Sequence, residues 1–228
     1  MDVQIEPLPK SPNEIGVDLG ITSLVALSTG EKIPNPKGFK AKHSKLRRAQ
    51  KALNRKQKGS NNRHKARLKV ARIHQQIGDA RIDFLHKLTT RLVRENQTIA
   101  VEDLAVKNMI KNRKLALSIS DASWSELVRQ LEYKCDWYGR ALIKIDRWFP
   151  SSKRCFDCGH ILSKFPLNLR EWDCPKCGSH HDRDVNAAKN ILAAGLAVSV
   201  CGANVRPNRD TSRGQLRNTR KGQKQKPK

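Results

Sequence analysis

The 228-residue chain lacks an apolar run long enough to cross a membrane, and we see no signal peptide at Met1. Aromatic residues are scarce, at 5% of the chain, although an apolar content of 37% suffices for one hydrophobic core. Acidic residues are also few: 21 Asp and Glu stand against 46 Lys and Arg, which leaves a formal net charge of +25. These shortages argue against a membrane partner and for a polyanionic one.

Cysteine occurs mainly in two Cys-x-x-Cys pairs with fifteen residues between them. Gly159 and Gly178 follow the second cysteine of each pair, where the tight turn of a zinc knuckle requires a positive φ. Four thiolates complete a tetrahedron and leave no position for water, so we predict a structural zinc site. The alternative is a pair of disulfides, but this cysteine usage fits a reducing cytoplasm. The four predicted ligands are Cys155, Cys158, Cys174 and Cys177.

The two remaining cysteines, Cys135 and Cys201, stand alone in the sequence. An isolated cysteine in a reducing compartment behaves as a small hydrophobic residue. We therefore expect both side chains to be buried and to have no part in the metal site.

A strongly basic segment extends from Lys32 to Gly78, with sixteen Lys or Arg and no acidic residue. We predict a basic helical hairpin over residues 37–96, with one helix near 42–58 and another over 63–95. The apolar stripe of the second helix comprises Leu68, Ile73, Ile77, Phe84, Leu88 and Leu92. Such charge runs are often only solvated faces, but the lack of any opposing acid favours a nucleic-acid surface. The expected phosphate contacts are Lys45, Arg47, Arg48, Lys51, Arg55, Lys56, Arg63, Lys65 and Arg67.

Apolar runs and turn residues also predict five strands: 14–20, 24–28, a short one around Ile33, 98–102 and 141–145. Residues 107–119 are polar and basic, and we predict a loop over the site. Residues 123–139 are predicted to form an amphipathic helix with Ser123 as its N-cap and Trp124 in the core. A last helix is expected from Asp184 to about residue 200. The fold class is α/β, with a mixed sheet and flanking helices.

Two carboxylates end predicted strands, Asp18 on the first and Glu102 on the fourth. If these strands are neighbours in one sheet, both acids lie at the same edge. Asp184 opens the last helix, and the small side chains that follow on its face let this helix lie close to the sheet. Hydrolysis of a phosphodiester by two Mg²⁺ ions needs such a compact set of oxygen ligands. We therefore predict a catalytic metal site for Mg²⁺, with Mn²⁺ as an alternative, at Asp18, Glu102 and Asp184.

Each of these acids has a neighbouring rival. Asp103 competes with Glu102, and Asp182 with Asp184, although strand alternation and helix phase direct both rivals elsewhere. Taken singly, any of these carboxylates is more often an exposed charge or a helix cap. His180 and His181 are expected to be turn residues after the zinc knuckle, because four cysteines already complete that site.

A series of motifs in fixed order resembles the C-terminal half of TnpB (OrfB-type) transposon-associated proteins, which are related to the compact type V CRISPR nucleases. The matching segments are Gly16-Val17-Asp18-Leu19-Gly20, Val101-Glu102-Asp103-Leu104, Ser123-Trp124, Leu131-Glu132-Tyr133-Lys134, Trp137-Tyr138-Gly139, Arg147-Trp148-Phe149-Pro150-Ser151-Ser152-Lys153, Cys155-x-x-Cys158-Gly159, Cys174-Pro175-x-Cys177-Gly178 and Asp182-Arg183-Asp184-x-Asn186-Ala187-Ala188-x-Asn190-Ile191. These motifs extend over roughly residues 14–197.

The resemblance implies an RNase H-like (RuvC) nuclease in a prokaryotic cytoplasm, associated with the nucleoid, whose catalytic acids map to Asp18, Glu102 and Asp184. It implies DNA as the substrate, a guide RNA as a partner, and a zinc ribbon that helps to hold the target strand. Family proteins also carry an N-terminal half, which this chain would need from another chain or would lack. The expected organisation is a leader at 1–13, a RuvC-like core at 14–150, a zinc-ribbon insert at 151–181, a last RuvC-like segment and helix at 182–200 and a disordered basic tail at 201–228.

Three other functions remain open from the sequence alone. A non-catalytic nucleic-acid binder or regulator explains the charge, and binding would then fall steeply with salt. A zinc-ribbon scaffold protein of translation or transcription explains the charge and cysteines but leaves the three acids unexplained. A transposase in the strict sense uses the same metal chemistry, but the sequence offers no candidate for recognising transposon ends.

Overall fold

A computed structural model describes residues 6–166 and 169–200. Within these residues, strands and helices follow one another in runs of one to three. Their bounds are β1 Glu14–Leu19, β2 Ser23–Leu27, β3 Lys32–Pro34, α1 Gly38–Asn54, α2 Asn61–Glu95, β4 Thr98–Glu102, α3 Val106–Met109, α4 Ala116–Ala122, α5 Trp124–Tyr138, β5 Ala141–Ile145, β6 Glu171–Asp173, β7 His180–Asp182 and α6 Arg183–Val200. The predicted tail at 201–228 and Cys201 lie outside the described residues.

The main sheet has five strands in the order β3-β2-β1-β4-β5. β1, β4 and β5 run parallel, whereas β1 with β2 and β2 with β3 pair antiparallel. This confirms the predicted α/β class with a mixed sheet, and all five predicted strands are present. The parallel trio places the ends of β1, β4 and β5 at one edge.

Helices cover both faces of this sheet, and strand alternation decides which residues face which helix. Ile15, Val17, Ile99 and Val101 belong to the main core, together with buried residues of α2 and α5. The alternate positions are small, Gly16 on β1 and Ala100 on β4, and they face α6. α6 therefore packs close against the face of the sheet opposite to α2 and α5.

The predicted basic hairpin is formed by α1 and α2. Its own small core joins Leu46 and Ala49 of α1 to Ile73 and Ile77 of α2. Ser60 caps α2, because its Oγ accepts a hydrogen bond from the Arg63 backbone N–H at 3.2 Å. The predicted stripe was wrong at Leu68, which is 42% exposed. Its side chain lies on α2 near the hairpin turn, outside that cluster.

Two local predictions around α5 hold only in part. Ser123 is the N-cap residue of α5, as predicted, but its side chain does not cap the helix: its backbone is left-handed with φ 53° and its Oγ donates to the Ser120 carbonyl. This conformation lets Ser123 end α4 and start α5 without a linker. Residues 107–119, predicted as a loop, contain α3 and the first part of α4. Trp124 is buried as expected, and so is Cys135.

The described part of the predicted leader packs against the sheet rather than extending away from it. The backbone of Leu8 donates to the Tyr138 carbonyl, and Gln97 N–H donates to the Asn13 carbonyl at 2.7 Å. The first five residues lie outside the described residues. None of the helices described here is both long and apolar enough to span a membrane.

Candidate metal centres and nucleic-acid surface

The register of β1 and β4 places Asp18 beside Glu102. Val17 pairs with Val101 in parallel, so the next residue on each strand is one of the two acids. Asp18 shares the face of Gly16 and Glu102 shares that of Ala100, which is the face covered by α6. Both carboxylates therefore point toward α6 at one edge of the sheet.

Asp184 reaches the same edge from the first turn of α6. Its carboxylate lies 3.9 Å from Lys32 Nζ on β3 and 3.5 Å from Arg170 Nη1. Both Glu102 and Asp184 raise the pKa of Asp18, which agrees with the placement of the three acids at one edge. Sequence reasoning did not identify Lys32 or Arg170 as neighbours of this group, since neither lies near it in the chain.

The two rival acids have other roles in the structure. Asp182 caps α6, because its Oδ1 accepts from the backbone N–H groups of Asp184 at 3.1 Å and Val185 at 3.0 Å. It also pairs with Lys32 at 2.5 Å. Asp103 follows Glu102 on the other side of the strand and pairs with Arg147.

Burial and like charge govern the protonation of the acids. Burial, together with the nearby Glu102 and Asp184 carboxylates, raises the pKa of Asp18 to about 8. Burial also raises the pKa of Glu102, although Ser151 Oγ donates to its Oε1 at 2.6 Å and partly offsets this. Such mutual repulsion is characteristic of acids arranged to share a cation.

The three carboxylates are not drawn together as tightly as ligands of one ion. Among the described residues, two groups of three or more possible ligands have all their donor atoms within 4.8 Å of one another. Both groups include Cys155. The acids at the sheet edge do not form such a group. Because like charges repel, a divalent cation would have to draw these side chains closer.

The four predicted zinc ligands do come together. Cys155 Sγ lies 3.7 Å from Cys177 Sγ, and Cys158 Sγ lies 3.5 Å from Cys174 Sγ. Four ligands at the usual Zn–S distance would be about 3.8 Å apart. All four cysteines are free, which contradicts the disulfide alternative. This cluster can therefore bind a metal such as zinc.

Two tight turns form the cluster, as the glycines predicted. Gly159 has φ 73° and Gly178 has φ 75°. Their N–H groups donate to the carbonyls of Cys155 and Cys174, at 2.9 and 2.8 Å. Burial raises the pKa of the Cys155 thiol to about 12, whereas hydrogen bonding from Ser179 lowers that of Cys177 to about 6. A metal would displace the remaining protons, since only thiolates are ligands.

His180 and His181 were predicted as turn residues, but both lie in β7. His180 is exposed and pairs with Asp173 on β6 at 2.7 Å. His181 is buried, packs on the ring of Trp172 and places Nε2 3.1 Å from Cys155 Sγ. The prediction failed because pairing with β6 extends the chain directly from the knuckle into α6.

Two buried asparagines attach the cysteine module, which comprises residues 151–181, to α6. Asn186 accepts from the Phe156 backbone N–H at 3.0 Å and donates to the Arg154 carbonyl at 2.8 Å. Asn190, one turn later, donates to the carbonyls of Ser151 and Arg154. Their four-residue spacing was the only sequence signal for this role. The module is thus fixed to the helix that carries Asp184.

Eight of the nine predicted phosphate-binding residues are exposed on the hairpin, and Arg63 is half-buried. None of the nine forms an ion pair with a residue that the structure describes. Arg63 differs because its guanidinium donates to the carbonyls of Leu53 and Lys56 at the end of α1. That residue closes the hairpin turn, and the other eight leave exposed cationic side chains on both helices of the hairpin.

Replacing both Cys155 and Cys158 with Ser is expected to remove bound metal, because two thiolates cannot hold a structural zinc ion. Elemental mass spectrometry should find about one zinc ion per wild-type chain and almost none in the variant. Hydrogen exchange should then become faster in residues 151–182. Cys135→Ser, which alters a buried thiol in the main core, should keep its zinc. Equal zinc content in all three proteins would contradict the assignment.

Two family models match the chain. One, OrfB_IS605, described as "Probable transposase", matches residues 1–113, and a Cas12f1-like TNB domain matches residues 124–191. A "Putative RNA-guided DNA endonuclease" of Streptomyces pristinaespiralis is 62% identical over 92% of this chain and 52% of its own length. The corresponding protein InsQ of Escherichia coli K12 is 37% identical over 89% of this chain and 54% of its own length.

A solved structure shares the fold. The cryo-EM structure of a Cas12f1–sgRNA–target DNA complex superposes on 81% of this chain and 50% of the Cas12f1 chain, with a TM-score of 0.58 and 18% identity. The chain spans about half the length of the relatives it matches. Both family models and the named relatives agree with the motifs in the sequence. The chain therefore belongs to the OrfB/TnpB family of transposon-associated proteins.

Proposed function

We propose that the chain is the metal-dependent DNA endonuclease domain of a transposon-encoded, RNA-guided protein, with an RNase H-like (RuvC) core. One observation carries this proposal. Acids from three separate elements, β1, β4 and α6, lie at one edge of a mixed sheet, and burial together with the neighbouring Glu102 and Asp184 raises the pKa of Asp18 to about 8. A protein gains no stability from such a cluster, so it is explained best by catalysis.

The donor set fits a hard divalent cation such as Mg²⁺, since Asp18, Glu102 and Asp184 offer only carboxylate oxygens. Cations bound there would supply Lewis acidity toward the phosphate and an activated water. The chain itself positions the ligands. Ser151 orients Glu102, and Asp182 caps the helix that presents Asp184.

Lys32 and Arg170 supply positive charge beside the acids. Both lie close to the Asp184 carboxylate, from β3 and from the cysteine module. Cations on Asp184 would replace its pairing with Arg170, which could then contact a phosphate of the substrate, whereas Lys32 also pairs with Asp182 at 2.5 Å. The exposed cations of the hairpin would hold the nucleic-acid backbone without reading its sequence.

Guide RNA and target DNA are the partners that we propose, because the relatives are named as RNA-guided DNA endonucleases. The cysteine module, held as a zinc ribbon, would support the target strand beside the acids. Its asparagine contacts to α6 favour this role, since they fix the module next to Asp184. The half of the relatives that this chain does not match would supply guide recognition.

Asp184→Asn is expected to abolish cutting of labelled single-stranded DNA in Mg²⁺, by at least about 1000-fold, because one carboxylate ligand is lost. Binding in EDTA should be unchanged. Asp103→Asn is the matched control, because it also removes one acid near the site. Asp103 pairs with Arg147 instead, so cutting should continue. Cutting by Asp184→Asn at the wild-type rate would refute the assignment.

A non-catalytic nucleic-acid binder is the second candidate. It is favoured by the spread of the three acids, which do not lie within 4.8 Å of one another in the described residues. Tight binding without cutting, in wild type and Asp184→Asn alike, would support this alternative.

A further inference from the structure

Trp148 is unusually exposed for its size. Its relative exposure is 85%, whereas the next most exposed large apolar side chain among the described residues, Leu117, reaches 56%. Single exposed apolar residues are common, so exposure alone carries no function. The position of Trp148 and the rigidity of its backbone set this residue apart.

The turn that carries Trp148 is held by its own hydrogen bonds. Asp146 Oδ1 accepts from the Trp148 backbone N–H at 2.7 Å, and the Asp146 carbonyl accepts from Phe149 N–H at 3.1 Å. Phe149 turns inward and packs against the cluster of Ala100, Ile145 and Ile191. Because Phe149 anchors the turn, the indole of Trp148 is held outward on a fixed backbone.

Both ends of this turn lie against Glu102. Ile145, at the end of β5, pairs with Glu102 in the sheet. Ser151, at the other end, donates to the Glu102 carboxylate at 2.6 Å. Trp148 is three residues from each, so its Cα lies at most about 11 Å from either end. The exposed indole is therefore carried by the segment that adjoins Glu102 at both of its ends.

We propose that Trp148 stacks on an unpaired nucleobase and thereby holds a single strand across the three acids. This inference takes its substrate, a single strand of DNA, from the proposed function. It does not require that the chain cuts that strand. Every base offers a π-face, so one exposed indole suffices to hold it. A protein partner would need a contiguous apolar patch, whereas the neighbours of Trp148 in the turn are the charged Asp146 and Arg147 and the inward Phe149. Trp148 is thus a positioning residue that orients the strand for cutting.

The test compares natural and abasic DNA. Fluorescence anisotropy in EDTA would measure the binding of a labelled single-stranded oligonucleotide and of the same backbone carrying abasic sites. Trp148→Ala should weaken binding of the natural strand roughly 5- to 150-fold. The abasic strand should bind wild type and Trp148→Ala equally, because it offers nothing to stack. Trp148→Phe should retain most of the affinity.

Trp137→Ala is the matched control. Trp137 is 48% exposed and packs on Tyr133 of α5. It lies just before the start of β5, which is the end of the sheet far from Glu102. Its loss should leave DNA binding unchanged. The salt dependence of binding should also be the same for wild type and Trp148→Ala, because no phosphate contact is removed. Unfolding temperatures should agree, since the indole is exposed.

Equal loss of affinity for natural and abasic DNA in Trp148→Ala would overturn the proposal. An RNA strand of the same sequence distinguishes the two sources of an unpaired base. A loss confined to RNA would overturn the assignment to the substrate strand. Because this assay needs no cutting, its result is independent of the cutting test: a wild-type protein that binds DNA without cutting it would refute the proposed nuclease while leaving the stacking result intact.

Discussion

Replacing Asp18 with Asn is expected to stop DNA cutting and, at the same time, to make the cation-free protein more resistant to heat. The two effects have the same origin. Asp18 is buried beside Glu102 and Asp184, and these surroundings raise its pKa to about 8. A negative charge at this position is costly to the fold, and it is the charge that a catalytic cation requires.

The stabilisation by Asp18→Asn should depend on pH in a defined direction. In the unfolded chain Asp18 has an ordinary pKa of 3.8, whereas in the folded protein its pKa of about 8 keeps it protonated until about pH 8. Between these values the unfolded state binds fewer protons, so wild-type stability falls as pH rises. Asn does not titrate, so the variant should match wild type near pH 4 and exceed it increasingly toward pH 8.

Thermal unfolding with and without Mg²⁺ measures both effects. In EDTA at pH 8 the variant should unfold roughly 3–6 °C above wild type, the shift that 1–2 kcal/mol produces in a domain of this size. Added Mg²⁺ should raise the unfolding temperature of wild type, because cation binding stabilises the ionised cluster. The variant should respond much less, and its cutting rate should fall by at least about 1000-fold.

Asp121→Asn is the matched control, because Asp121 is a buried acid that has a cationic partner. The Asp121 carboxylate is 6% exposed, accepts from Arg81 at 2.8 Å and from the Phe39 backbone N–H at 3.1 Å. Its replacement should destabilise the protein by about 1–3 kcal/mol and leave the Mg²⁺ response intact. A fall in stability for Asp18→Asn, or a full Mg²⁺ response, would show that Asp18 lies outside the cation site.

The strands and the ends at which the acids lie were predictable because strand periodicity is local. Alternation placed Val17 and Asp18 on opposite faces, and the acid after Val101 followed the same rule. A mixed sheet was then the predicted arrangement, with these strands as neighbours. The cysteines were equally predictable, since knuckle turns depend on glycines only one residue away.

What the sequence could not predict depends on contacts between distant segments. Ser123 has a residue type that caps helices, but it is the single residue between α4 and α5, and its backbone is left-handed there. The strand that holds His181 forms only because β6 lies beside it. Lys32 meets Asp182 and Asp184 across 150 residues or more of chain. No local pattern records such contacts.

Gly16→Ala is expected to displace α6 and to destabilise the protein by about 3 kcal/mol, at the upper end of the cost of overpacking a core. A Cβ at Gly16 would lie 2.0 Å from the Ala188 carbonyl oxygen and 2.9 Å from Leu192 N and Cβ. Two of these three atoms belong to the helix backbone, which cannot rotate away. α6 must therefore move by about 1 Å or more, taking Asp184 with it.

Such a displacement should reduce cutting about 100-fold even under conditions where the variant remains folded, because catalytic groups tolerate little misplacement. It should also loosen the cysteine module, which Asn186 and Asn190 fix to the same helix. Chemical denaturation and the cutting rate measure the two losses separately.

Gly78→Ala is the control, since a Cβ there meets nothing within 4 Å on the long helix α2. That change should stabilise the helix by about 0.5–1 kcal/mol without altering the rate. If Gly16→Ala behaved like Gly78→Ala, α6 would not be packed on β1 as tightly as this structure shows, and Asp184 would need another way to reach the acids of the sheet.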